Sequence, residues 1–152
     1  MTTSPENRLK YENYREQFKR LNKALSAGFN LEAIFIEYAI AEDRTESILR
    51  HAGHWDAYVK SRRGHIGIGS KIRYIQKKAE NKKDMLHKYF SDELLEELFA
   101  WKDCRDHLIH ALLKQELEHN ELNELAARGN ELVKKLRSRS SAYNRANEKA
   151  NQ

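Results

Sequence analysis

The sequence predicts an all-α fold, a single bundle of about five helices, and three observations carry that expectation. Proline occurs once and glycine six times in 152 residues, so the punctuation of a strand-and-turn chain is missing. Ala, Leu, Glu, Lys and Arg, which lose little on entering a helix, are abundant. Charged residues reach 34% against 39% hydrophobic, so the buried stripes must be narrow and the surface heavily solvated.

Each element follows from local signals. Ser4-Pro5-Glu6 supplies an N-cap and then proline at the first helical position, which predicts helix 1 from about Pro5 to Leu25, stopping near Gly28. Asn30 caps helix 2, from Leu31 to roughly His51, with Gly53 just beyond. His54 to Ser70 is the longest irregular piece. Ser70 then caps helix 3, about Lys71 to Phe90, and Ser91-Asp92-Glu93 with Glu96 opens helix 4 with acid at the positive end of its dipole. Helix 4 reaches about Gln115. Helix 5 covers Glu116 to roughly Ser138, either continuous with helix 4 or separate from it, with Gly129 as a weak point, and its stripe of Leu117, Leu122, Leu125, Leu132, Val133 and Leu136 fits a bundle seam or a subunit contact. Residues 139–152 read as a basic tail that frays.

Several function classes fall away early. The lone Cys104 excludes an internal disulfide framework and reads as a small buried cysteine. The opening MTTSPENRLKYENY lacks the apolar core of a signal peptide, and LEAIFIEYAIA, interrupted by Glu37, is too short to span a bilayer; both predict a cytoplasmic chain with no membrane partner. Net charge is +5, and from Lys134 onward Lys134, Lys135, Arg137, Arg139, Arg145 and Lys149 face only Glu148. That imbalance points either to a polyanion partner or to a solubilising helix end.

The chemistry concentrates in WKDCRDHLIHALLKQ, Trp101 to Gln115. At about 100° per residue, Leu94, Leu98, Trp101, Arg105, Leu108 and Leu112 share one stripe. Arg105 thus lies within apolar surroundings and needs an anion, because an unpaired buried charge costs several kcal/mol. Asp106 and His110 are spaced i, i+4, so Asp106 is placed to orient the imidazole. On helix 2, Phe35, Tyr38, Thr45 and Leu49 form a face that includes Glu42. Two arrangements satisfy Glu42 and Arg105: an ion pair tying two core helices together, or a shared cleft in which Arg105 awaits a phosphate.

The hexapeptide RDHLIH, Arg105 to His110, resembles the signature of HEPN domains: arginine, a polar residue, a short variable run, then histidine, late in a small helical bundle. The resemblance covers that motif and the helix order over about residues 28–137, and Asp106 agrees with the polar position. It implies a metal-independent endoribonuclease of a toxin, abortive-infection or CRISPR-associated system, with no cofactor, acting as a homodimer whose two motifs share one cleft. By that likeness His110 is the proton-transfer group and Arg105 stabilises charge on the phosphoryl oxygens, leaving cyclic phosphate ends; histidine and guanidinium suit those tasks. Because Arg105 and His110 lie about 140° apart on an ideal helix, the second copy becomes part of the expectation. The resemblance equally admits a non-catalytic RNA- or protein-binding module, and it admits an antitoxin or effector protein as partner.

Weaker signals complete the reading. The pairs His51/His54 and His107/His110 have i, i+3 spacing, yet lack a cysteine pair or an obvious third ligand, so no metal is expected. GHIGIGSK lacks the spacing of a nucleotide-binding loop and no strand precedes it; it reads either as a turn with Ile66 and Ile68 tucked into the core, or as a helix N-terminus at Gly67, Gly69 and Ser70 whose backbone amides hold a phosphate of RNA. Around it Arg62, Arg63, Lys71 and Arg73, with Trp55 and Tyr58, form either a charge-and-stacking surface for single-stranded RNA or a solvated loop.

Overall fold

The structure, a computed structural model, describes residues 4–64, 66–115 and 117–152. Among these the fold is all-α, with seven helices rather than five: α1 (Pro5–Ala27), α2 (Asn30–His51), α3 (Trp55–Arg62), α4 (Ile68–Ala79), α5 (Met85–Phe90), α6 (Leu94–Ala111) and α7 (His119–Ala150). His65 of the glycine turn and Glu116, the expected start of helix 5, lie outside the described residues. No helix among the described residues is long and apolar enough to cross a membrane.

Local chemistry explains the boundaries. The Ser4 hydroxyl accepts a hydrogen bond from the Asn7 amide at 3.3 Å, and Gly28 ends α1 at φ +75°, a conformation that glycine adopts without a Cβ penalty. Helix 2 begins one residue early, with Phe29 in the cap position. Asn30 is therefore buried, and neither end of its amide finds a partner. The expected helix 3 is two helices. Between them the Asn81 side chain accepts from the Lys83 amide at 3.1 Å and the Asp84 side chain from the Leu86 amide at 2.9 Å, local bonds that compete with helical ones. Ser70 sits inside α4, whose cap is Gly67; the Ser70 hydroxyl donates back to the Gly67 carbonyl at 2.9 Å.

The segment read as irregular contains α3, which tertiary contacts hold in place. Tyr58 is fully buried, its ring meets Tyr74 edge-on at 5.5 Å, and its hydroxyl lies 2.5 Å from the Ser70 hydroxyl. Helices 4 and 5 of the sequence reading are separate, and the residues read as a tail are the second half of α7.

Helix α2 is the centre of the bundle, packing on α1, α3, α4 and, most extensively, α7. Its buried face carries Ala33, Ile34, Ile40, Ala41, Ile48 and Leu49. Phe35, expected to face inward, is 71% exposed. From α7, Leu132, Val133, Leu136 and Tyr143 complete that core. Helix α6 packs on α7 and α4, and the Trp101 indole N–H donates to the Leu125 carbonyl at 3.0 Å.

One carboxyl lies inside this seam. Glu37 is fully buried and neither oxygen has a hydrogen-bond partner. Burial pushes its carboxyl up to about 9, so it is neutral at ordinary pH. Gly129 is the reason it fits: a Cβ built there would lie 2.5 Å from a Glu37 carboxyl oxygen. Gly129, which reads in sequence as a weak point in a helix, is the position where α7 gives room to α2.

Two outcomes follow from that contact. The unfolded chain ionises Glu37 near 4.5 and the folded chain only near 9, so the folded state holds the extra proton between these values and stability falls as pH rises through them. Glu37→Gln is expected to flatten that part of the pH profile and to be the more stable protein at pH 8, by on the order of 1–3 kcal/mol; a wild-type profile with the same slope as the variant, read by thermal unfolding, refutes it. Gly129→Ala, which improves intrinsic helix propensity by about 1 kcal/mol, is expected instead to destabilise by about 2 kcal/mol or more through overpacking. Adding Glu37→Ala should recover much of that loss in a double-mutant cycle.

Candidate functional site

Arg105 occupies the stretch where α6 leaves the core. Leu94, Leu95, Leu98 and Trp101 are buried, whereas Arg105 and Leu108 are half-buried and Leu112 lies beyond the helix and is exposed. The sequence stripe is therefore correct in direction and too deep at its C-terminal end. The Arg105 side chain is 21% exposed. Its guanidinium lies over the Tyr38 ring of α2, 4.0 Å from the ring centroid, and Nη1 donates to the Asp106 carboxylate at 3.0 Å. Its Nε is buried without a partner.

Asp106 joins two cations. Lys102, one turn earlier on α6, brings its ammonium to 3.0 Å from the second Asp106 oxygen and 3.3 Å from Asp103. Burial by itself pushes the Asp106 carboxyl up, but hydrogen bonds from Lys102 and Arg105 and their positive charge outweigh it and leave the group below the usual carboxylate range. The Asp106 hydrogen bond chiefly, opposed in part by burial, raises Lys102 above its ordinary value. The two charges of opposite sign thus stabilise each other, and the guanidinium is held in one place.

The expected pairing of Glu42 with Arg105 does not form. Glu42 faces Lys71 of α4, whose ammonium is 3.5 Å from the Glu42 carboxylate and 3.3 Å from its carbonyl oxygen. The Lys71 side chain is only 2% exposed, so it is the buried cation that needs an anion, and Glu42 satisfies it. Lys71 is thereby removed from the surface on which the sequence reading placed it. Arg73 remains exposed, pairs with Glu96 at 2.6 Å and lies over the Phe99 ring at 3.6 Å.

His110 is one turn and a residue beyond Arg105, exposed, and no hydrogen bond joins it to Asp106, whose two oxygens are taken by Lys102 and Arg105. His107 donates from Nδ1 to the Asp103 carbonyl at 2.8 Å. Around His110 the end of α6 is apolar and uncovered: Ile109, Leu112 and the 96% exposed Leu113. Cys104, expected to be buried, is exposed beside His107 and Leu108.

Next to the Arg105 group opens a polar cavity of about 480 Å³. Tyr38 and Lys102 form one wall, and Arg62 with Gly67, Gly69 and Ser70 forms the other. A Cβ at Gly69 would make ordinary van der Waals contact, 3.4 Å from the Phe99 ring and 3.5 Å from the Lys102 nitrogen. Of the residues that the sequence singled out, the fold brings Arg105, Asp106, Arg62 and the glycine turn to one side of α6 and withdraws Lys71. Arg63 is exposed at the end of α3 with φ 48°. Ile68 is buried as expected and Ile66 is not. Sequence reasoning missed Lys102, although its i, i+4 spacing to Asp106 was readable. Among the described residues no three His, Cys, Asp or Glu side chains gather as a metal site. Compared with models of known families, with curated proteins and with solved structures, the chain matches none.

If Arg105 is a braced surface group rather than a core strut, its removal should cost little stability. Arg105→Ala is expected to lose about 1 kcal/mol, the scale of one partly exposed cation–π contact and ion pair, whereas Trp101→Ala, one turn deeper, should lose about 3 kcal/mol or more. Equal losses in urea unfolding would return Arg105 to the core.

Proposed function

We propose that this protein is a metal-independent endoribonuclease of HEPN type that acts as a homodimer on RNA, in the setting of a toxin or antiviral defence system. The observation that carries the reading is the state of Arg105: braced by Tyr38 and Asp106 and only half-buried, with its neighbours Tyr38 and Lys102 lining a cavity that Arg62 also lines. A guanidinium held in place and partly open to solvent is suited to a phosphodiester. His110, exposed on the same helix, takes the proton of the RNA 2′-hydroxyl or returns one to the leaving group. The 2′-oxygen forms its bond to phosphorus as the bond to the 5′-oxygen breaks, and the departing 5′-oxygen leaves as a hydroxyl. The products carry a 2′,3′-cyclic phosphate and a 5′-hydroxyl, and Arg105 stabilises the charge that builds on the phosphoryl oxygens.

The exposed apolar end of α6 supports the dimer part of the reading, because Ile109, Leu112 and Leu113 flank His110 and a second copy would cover them. A second reading, a binding module that does not cut, is favoured by one observation: Asp106 is committed to Lys102 and Arg105 and leaves His110 without an orienting carboxylate.

Cleavage of single-stranded RNA in excess EDTA separates the two. The wild type is expected to leave cyclic phosphate ends, and Arg105→Ala and His110→Ala, still folded and of unchanged size in solution, to lose activity by about 100-fold or more. A folded wild type that binds several RNAs and cuts none overturns the nuclease reading in favour of the binding module.

A further inference from the structure

A second concave surface lies away from Arg105, on different helices. Helices α1 and α7 both pack on α2, and between them runs a groove of about 550 Å³. Phe18 and Asn22 of α1 line one side, and Lys134, Arg137, Ser138 and Arg145 of α7 line the other. The spacing from 134 through 137, 138 and 141 to 145 is that of one helix face. At about 1.5 Å per residue, these cations span roughly 16 Å along α7.

The charge in this groove is unbalanced. No acidic residue lines it, and among the described residues none of Lys134, Arg137 and Arg145 forms an ion pair. Other cations of the same helix do: Arg128 reaches Glu97 at 3.0 Å, and Arg139 bonds Asp92. The cations that face the neighbouring helix α6 and its N-terminal approach are neutralised, and those that face the groove are not. Arg137 is also held in position, its guanidinium 4.7 Å from the Phe18 ring centroid. Ser138 and Ser141 add neutral donors along the same row, and Asn22 adds one from the α1 side.

From this arrangement we propose that the α1/α7 groove is a binding site for the phosphate backbone of single-stranded RNA, separate from the Arg105 site. Like charges held together repel, and a ligand that brings anions at intervals along the row relieves that repulsion. A row of roughly 16 Å exceeds what one phosphate occupies, which selects a polymer. Its concave shape admits a strand, whereas a flat lipid surface would reach only the rims. Phe18 is covered by Arg137, so the groove reads backbone rather than bases. The inference rests on the nuclease reading only in its choice of RNA as the polymer.

The test measures binding of a 2′-O-methylated, mixed-sequence, single-stranded RNA, which cannot be cut, by fluorescence anisotropy over a range of salt. The combined substitution Lys134→Gln, Arg137→Gln and Arg145→Gln is expected to weaken binding at least about tenfold near 100 mM salt and to reduce the slope of log affinity against log salt by about 2. The control Lys77→Gln, Lys82→Gln and Lys83→Gln removes equal charge elsewhere and should shift affinity far less. If circular dichroism shows that the triple variant loses helix, the single variants Lys134→Gln and Arg145→Gln keep the Arg137–Phe18 stack, and each should lower the slope by about 0.7.

Affinity and slope unchanged in the groove variants, or lowered only as much as in the control, overturn the proposal. So does a wild type with no RNA affinity at low salt. Binding to anionic vesicles that the triple variant loses while RNA affinity persists assigns the groove to lipid and overturns it too. Loss of cleavage in Arg105→Ala with RNA affinity intact bears on the nuclease reading alone.

Discussion

The contact between Glu37 and Gly129 fixes the seam on which the bundle is built. Helices α2 and α7 share the largest interface, and within it a carboxyl occupies the space that a side chain at position 129 would need. The group has no hydrogen-bond partner and survives there only because its proton stays on. An unsatisfied buried acid costs on the order of 1–3 kcal/mol even when neutral, so the surrounding apolar packing of Ile34, Ile40, Leu132 and Leu136 must more than offset it. The position of α7 against α2 then determines the rest: α6 hangs from α7 through Trp101 and Leu125, and α1 shares α2 with α7 and leaves a groove between them.

The Arg105 site depends on that chain of contacts. Tyr38 stands one residue after Glu37 on α2, so the face that buries the carboxyl turns its neighbour toward α6. Arg105 finds the Tyr38 ring because Trp101, one turn earlier, is anchored in the core. A displacement of α7 that moved Trp101 would therefore also move the guanidinium off its aromatic support. The site is built at the edge of the core, where one turn of α6 is held rigidly and the next is free to meet solvent or a partner.

How much of this is legible in one dimension depends on the range of the cause. Ser4, Pro5 and Gly28 act within a few residues, and the sequence locates both ends of α1 closely. The break at residues 80–84 is equally local, but Asn81 and Asp84 were masked by a helical pattern running through them. Helix α3 has no side-chain cap and weak patterning; Tyr58 holds it by contacts with α4, which no local window contains. RDHLIH was recognisable as a chemical grouping, and the wheel gave the correct face for Arg105. Its depth was not readable, because that depends on where α6 parts from α7. Glu37 was visible only as an interruption of an apolar run, since its partner Gly129 is remote in sequence and carries no side chain to match.

The distribution of partners among the cations gives the charge of this protein its meaning. Lys71 with Glu42, Arg73 with Glu96 and Arg128 with Glu97 each join two helices, and Arg139 joins α7 to Asp92 in the turn before α6. The exposed pairs, all but that of the buried Lys71, contribute about 0–1 kcal/mol each and do more to fix register than to stabilise. Within the net charge of +5, Lys134, Arg137 and Arg145 are three cations without an ion pair on one face of one helix, in a groove that no acid lines. Were the excess only a device for solubility, scattering it would serve as well and would avoid the repulsion of gathering it. Its concentration along a groove, beside hydroxyl and amide donors and with one guanidinium held on Phe18, is the arrangement that an extended anion requires.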